Sequence, residues 1–222
     1  MSDRSNHIAS ILRNAIIRHR LRPGDKLVER ELVEATGVSR VVVRQALIRL
    51  SEEGLVTWHR NVGASVASFD LTEVMAIFDA LTAIEQSVID RLDSEFGSAE
   101  WKRLRQHAAL ESSITRGLAI DPAAEKSADF HILLVALSRN QYIIEFHEKL
   151  VRRIVLLNAI YRLEDRGKLL THDHGKLLDL VEAGKIARAK ALVARHYADI
   201  LRSYSIKQTG TRTMTLKEAL AD

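Results

Sequence analysis

The sequence predicts a mainly α-helical chain: a small N-terminal helix-turn-helix unit with a short β-hairpin, then an antiparallel bundle of six helices. Three observations predict it. From Glu73 onward the apolar residues recur almost only at helical spacing. Two prolines and ten glycines in 222 residues leave few places for tight turns, which favours long helices with short connections. The pattern changes near Phe69-Asp70-Leu71-Thr72, which divides the chain into residues 1–69 and 70–205 and leaves a polar tail at 206–222 with a short helical stretch at 216–220. A hydrophobic content of 46% is enough for a packed core.

Residues 1–6 are polar, and Ile8, Ile11, Leu12, Ala15 and Ile16 make the first amphipathic helix. Pro23-Gly24 turns the chain, and Leu27 begins the approach to a second helix, which Gly37 ends. Ser39 can cap the third helix by accepting from a first-turn amide. Val43, Ala46, Leu47 and Leu50 form the buried stripe of that helix. Arg40 and Arg44 lie one turn apart on another face, with Val41 and Gln45 beside them and Arg49 a turn further on. A helix that follows a short turn, buries one face and presents arginines on another is a helix-turn-helix pattern. Guanidinium groups suit that face because they pair with phosphate and fork onto guanine. Thr57–Arg60 and Gly63–Ala67 read as two strands joined at Asn61-Val62, with Trp58 as hydrophobic cover over the small domain.

Charge follows the same division. Residues 1–69 hold 11 Lys+Arg against 7 Asp+Glu, while the remainder balances at 22 of each. The whole formal excess of +4 therefore sits beside the arginine helix, as attraction to phosphate requires. There is no cysteine, which excludes disulfides and thiolate metal sites. No apolar run approaches the ~18 residues of a membrane span, and no signal peptide opens the chain, so a soluble cytoplasmic protein with no membrane partner is expected.

The run Pro23-Gly24-Asp25, Leu27, Glu29-Arg30-Glu31-Leu32, Gly37-Val38-Ser39-Arg40, Val43-Arg44, Ala46-Leu47, Arg49-Leu50, Glu53-Gly54-Leu55-Val56 and the glycine hairpin at Gly63 resembles the winged helix-turn-helix of GntR-family transcription regulators. The resemblance implies DNA contacts from Arg30, Ser39, Arg40, Val41, Arg44, Arg49, Arg60, Asn61 and Gly63, with Arg60 and Asn61 at the tip of the wing. One departure stands out: Val41-Val42 replaces the Thr-Pro of most relatives, which removes a hydroxyl that would bond a phosphate.

In the second part, periodicity predicts helices over 73–94, 98–118, 121–138, 140–164, 168–183 and 185–205. Asp121-Pro122 is a start signal, and Gly184 a break. Ala128-Asp129-Phe130-His131, Leu137-Ser138-Arg139-Asn140, Asp173-His174 and Arg195-His196 resemble the FCD effector domain of the FadR subgroup. That domain commonly holds a metal with one Asp and three His, and the matching histidines are His131, His174 and His196. Each lies on an apolar stripe, which also suits hydrogen-bonded core histidines. Neutral imidazoles would suit zinc, nickel or manganese. The usual aspartate position, one turn before His131, is Ser127, which weakens the metal set; Asp129 faces the other side of the helix.

The resemblance also places an effector pocket at Leu81, Glu85, Ser127 and Asn140. Leu81 stands where relatives carry an arginine that meets an organic acid, so a monocarboxylate or a more apolar effector is expected; Arg152 and Arg153 are alternative cations. The implied function is a homodimeric, effector-responsive repressor acting on a double-stranded DNA operator, and not an enzyme. The alternatives are a DNA-binding protein whose second domain only dimerises, and a metal-dependent enzyme, for which no carboxylate is clearly placed as a general base.

Overall fold

The computed structural model describes residues 2–60, 62–92, 98–114, 122–161, 174–204 and 215–220. Contacts divide the chain into two units: Met1–Asp70 with Leu156–Arg162 and Ile206–Asp222, and Leu71–Val155 with Leu163–Ser205.

The first unit opens with α1 (Ser2–Ile17), β1 (Lys26–Leu27), α2 (Glu29–Thr36), α3 (Arg40–Glu52), β2 (Val56–His59) and β3 (Gly63–Val66). Ile8, Leu12, Ala15 and Ile16 of α1 and Val43, Ala46, Leu47 and Leu50 of α3 are all buried, and the two helices pack together. Gly37 closes α2 at φ 69°, donating its amide to the Val33 carbonyl at 2.9 Å. A side chain would be strained at that φ, so glycine lets α2 stop and α3 leave in a new direction. Ser39 occupies the capping position of α3, but its hydroxyl makes no capping bond. Its carbonyl accepts from Val43 at 3.1 Å instead, and its side chain is left exposed.

The first hairpin strand lies one residue earlier than its sequence pattern suggests, the second starts at Gly63 as expected, and a third strand joins in the antiparallel order β1-β3-β2. Ala64 is paired on both sides, with Leu27 and with Trp58. At two residues, β1 is too short to show the alternation that marks a strand, and Leu27 read instead as the approach to α2.

The second unit contains α4 (Leu71–Ile89), α5 (Ala99–Ile114), α6 (Pro122–Ala136), α7 (Gln141–Ile160, its last turn assigned to the first unit), α8 (His174–Glu182) and α9 (Ile186–Ser203). All six predicted helices are present, and several of their expected ends, 115–118 and 162–164 among them, lie outside the described residues. Residues 168–173, the expected start of α8, and Asp121, the expected cap of α6, lie outside the described residues. Pro122 is the first residue of α6, and Gly184 ends α8 at φ 65°. Val74, Ile77, Phe78, Leu81, Glu85, Val88 and Ile89 form the buried stripe of α4, which packs on α9 and α6. The charged group in that apolar series, Glu85, marks the site described below. Among the described residues no helix is long and apolar enough to cross a membrane.

The C-terminal stretch is not uniformly polar tail. Its helix α10 (Leu216–Leu220) packs on α2 and α1 within the first unit. Thr215 and Glu218 form a reciprocal cap: the Thr215 amide donates to the Glu218 carboxylate at 2.7 Å, and the Glu218 amide to the Thr215 hydroxyl at 3.2 Å. Leu216 and Ala219 are 2% and 0% exposed, so a five-residue helix is held by two anchors. Leu216→Asp is expected to undock it. Hydrogen exchange in α2 should accelerate roughly thirtyfold, equivalent to about 2 kcal/mol, while α9 keeps its protection. Unchanged exchange in α2 would show that α10 does not support it.

Candidate DNA-binding face and histidine cluster

The stripe that buries α3 dictates what the helix presents. With Val42, Val43, Ala46, Leu47 and Leu50 inward, Arg40, Val41, Arg44, Gln45 and Ile48 are exposed. Arg40 and Arg44 do not extend freely. Glu29, in the first turn of α2 with its side chain 14% exposed, pairs with Arg40 at 2.5 Å and approaches Arg44 Nε at 4.0 Å. An acidic group suits the positive end of α2, and from there it reaches both arginines of the next helix. The sequence pattern did not single out Glu29, because a pairing across eleven residues depends on the angle between two helices.

Trp58 is not cover over the core. It lies 37% exposed, with the Arg44 guanidinium 5.9 Å from its ring centroid. Val56, two residues earlier on the same side of β2, is buried; at Trp58 the neighbour is the cationic flank of α3. Such a contact is worth about 0.5–1 kcal/mol at an exposed site and orients the guanidinium. His59 Nε2 lies 2.9 Å from the Ser65 hydroxyl, which braces the hairpin. Arg60 is exposed at the hairpin tip, and Gly63 has φ 102°. Arg30 is exposed and lies 3.9 Å from Glu34. Arg49, expected on the DNA face, lines a depression with Asn6, Ala9, Arg13, Glu52 and Glu53. Asn61 lies outside the described residues.

In the helical unit, α6, α8 and α9 bring His131, His174 and His196 together. One nitrogen from each lies within 4.8 Å of the others. His131 Nε2 and His196 Nε2 are 3.0 Å apart. Two imidazole nitrogens bound at ~2.0–2.1 Å to one ion stand about 3.0–3.4 Å apart, so the pair fits a shared metal as well as a hydrogen bond. Phe130, fully buried, stacks on the His174 ring at 3.9 Å and 5° and fixes its plane. The donor chemistry fits a divalent ion held by His131, His174 and His196. The His131–His196 pair already has ligand spacing. The full set spans up to 4.8 Å, wider than the ~4.2 Å that two nitrogens at ~2.1 Å from one ion can span, so a third bond needs a small side-chain movement.

Glu85 supports this cluster and does not line an open pocket. It is 0% exposed, and both oxygens are committed: one to His131 Nδ1 at 3.0 Å, the other to His147 Nε2 at 3.0 Å and to the Tyr197 hydroxyl. Burial pushes its carboxyl up, but the His131 and His147 rings outweigh that and lower it to about 2. Burial, with Glu85, pushes the Tyr197 hydroxyl well up, so it remains a donor. With a carboxylate on Nδ1, His131 is held with its Nε2 lone pair toward His196. His147 and Tyr197 escaped the sequence reading. The one available signal was that His147 falls on the apolar side of α7, a pattern shared by many core histidines.

Of the other residues expected in the pocket, Leu81 is 1% exposed in the core. The Asn140 side-chain oxygen caps α7, accepting from Tyr142 at 3.1 Å and Ile143 at 3.4 Å. The side chain of Ser127 lies outside the described residues, and Asp129 is exposed, as its helical spacing requires. Arg152 pairs with Glu148 at 2.8 Å and Arg153 with Glu73 at 2.6 Å, both on the surface.

Both sites coincide with family matches. Residues 4–66 match bacterial regulatory proteins of the gntR family, and residues 73–199 match the FCD domain. The chain belongs to the gntR family: it is a DNA-binding transcription regulator with a C-terminal effector-binding domain. The HTH-type transcriptional repressor GlaR of Escherichia coli (strain K12) is 30% identical over 205 residues, covering 83% of this chain and 88% of GlaR. The uncharacterized HTH-type transcriptional regulator YdhC of Bacillus subtilis (strain 168) is 25% identical over 190 residues, covering 84% of each chain. The fold is shared with a GntR transcriptional regulator from Rhodococcus sp. RHA1, at a TM-score of 0.57 and 24% identity over 90% of this chain and 96% of that one.

Arg40→Ala and Arg44→Ala are each expected to weaken operator binding by about 1–3 kcal/mol. Trp58→Ala should cost less, about 0.5–1 kcal/mol, through Arg44. Fluorescence anisotropy with a selected operator measures all three. Full affinity in both arginine variants would remove α3 from the interface.

Proposed function

We propose that this regulator is a homodimeric repressor whose helical domain holds a divalent ion on His131, His174 and His196 and takes up a small carboxylate metabolite at that ion. The observation that carries the reading is the convergence of three imidazoles from three helices, with His131 held by a buried carboxylate. A bound ion would supply a Lewis-acidic seat for an effector carboxylate. The protein's own part is to hold three neutral nitrogens in place and to exclude competing cations. Leu81 is buried and apolar, while Arg152 and Arg153 are turned to surface carboxylates. Among the described residues neither Leu81 nor these arginines gives a dicarboxylate a second cationic anchor, which favours a monocarboxylate or an acid with an apolar body.

Repression is the reading that the name of GlaR supports. A homodimer matches the two half-sites of a pseudo-palindromic operator. Release of counterions from phosphate makes such binding salt-dependent, and a cytoplasmic location goes with a DNA target.

Metal content is the direct test. After chelation and readdition of zinc, nickel or manganese, the wild type is expected to hold about one ion per chain. His174→Ala and His196→Ala should hold far less. The ion should also stabilise the wild type by about 2.7 kcal/mol when its free concentration is a hundred times Kd. If the folded wild type takes up none of the three ions at millimolar concentration, the histidines are hydrogen-bonded core residues and the metal reading is lost.

A further inference from the structure

We propose that Glu85 is the charge partner of the three-histidine site: the carboxylate that offsets the ion stands behind His131 and reaches it through the imidazole ring. This deepens the metal reading above and rests on it. Three neutral imidazoles bring no negative charge to a divalent ion. His131 and His174 are buried and His196 half-buried, so water screens the ion's charge poorly and a protein carboxylate close by would offset part of it before any effector arrives. Glu85 is a carboxylate in direct contact with the cluster. Glu85 is fully enclosed, and its Oε2 lies 3.0 Å from His131 Nδ1.

Two further features separate this from ordinary packing. First, no lysine or arginine among the described residues pairs with Glu85. Its partners are His131, His147 and Tyr197. The rings of His131 and His147 already favour the charged carboxylate, and an ion beyond His131 would add to that. Second, the bond falls on the correct nitrogen. Nδ1 faces Glu85 while Nε2 faces His196, so the ring links the carboxylate to the place where the three donor atoms meet. A carboxylate on the far nitrogen of a ligating histidine selects the tautomer and makes the near nitrogen a better donor. Glu85 is a positioning residue: it acts on the ion only through His131. Tyr197 and His147 hold its other oxygen and keep the carboxylate aimed.

The test compares zinc affinity, by chelator competition, in the full-length wild type, Glu85→Gln and Tyr197→Phe. Glu85→Gln keeps the shape and removes the charge. Tyr197→Phe removes the hydroxyl that donates to Glu85 and lies 3.2 Å from His131 Nδ1, and leaves the charge. The expected result is a loss of about 10–100-fold in Glu85→Gln. Tyr197→Phe should lose no more than about fivefold, the equivalent of one neutral hydrogen bond. Equal affinity in wild type and Glu85→Gln overturns the proposal, as does an equal loss in both variants, which would make the network's packing the cause. A wild type that binds no zinc defeats the metal reading itself and this inference with it.

A second measurement, on the wild type alone, holds even if Glu85→Gln does not fold. Long-range 1H–15N NMR should show His131 protonated at Nδ1 before and after zinc, with only Nε2 shifting on binding. Zinc at Nδ1 of His131, or a ring protonated at Nε2 when zinc-free, would overturn it.

Discussion

A carboxylate removed from water must find donors, and in the helical domain that requirement ties four helices to one point. Glu85 sits on α4, His131 on α6, His147 on α7 and Tyr197 on α9, and the three partners close on its two oxygens. Leaving any of them unpaired in an apolar interior would cost more than a hydrogen bond is worth in water. The apolar stripes bring the helices together with broad tolerance. The Glu85 network sets their rotation and register, since a turn of any helix by one residue would carry its donor away. His131 is aimed as a by-product of this satisfaction, and His196 and His174 meet it from the adjoining helices.

The DNA-binding unit is organised by a related constraint at its surface. Burial of one face of α3 leaves Arg40 and Arg44 outward, and long side chains left outward are mobile. Glu29 and Trp58 reduce that freedom by different physics, an ion pair on one side and a π-face on the other. The two guanidinium groups are thus partly ordered before phosphate or guanine arrives. Any phosphate or base that Arg40 met would have to compete with the Glu29 carboxylate, so such a contact would include the cost of separating an ion pair. Val41 is exposed on the same face and brings no hydroxyl to it.

Much of this was legible in the chain, and what was not has a common cause. The helix-turn-helix, the hairpin and the six helices follow from local patterns: Gly37 and Gly184 as breaks, Pro122 as a start, stripes at helical spacing. The three histidines were singled out by the resemblance to the FCD domain; their place on apolar stripes agreed with it but equally suited core histidines. Local patterns report which face of a helix is buried, and little about what it meets there. β1 and α10 carried weak signals because two and five residues are too few for a period to appear; α10 is defined by where Leu216 and Ala219 find an apolar surface.

Tertiary structure alone decided the partners. Sequence spacing left Glu85 as one polar residue in an apolar series, and only the approach of α6, α7 and α9 made it the support of His131. Trp58 read as core because large aromatics are usually buried; its place over Arg44 depends on how far the hairpin extends past the last buried residue. Glu29 reaches Arg40 across eleven residues because Gly37 redirects the chain between them. The sequence by itself determined the elements and their buried faces, since those depend on neighbours within a few residues. The pairing of charges, rings and imidazoles depends on the angles at which those faces close, and these are properties of the packed whole.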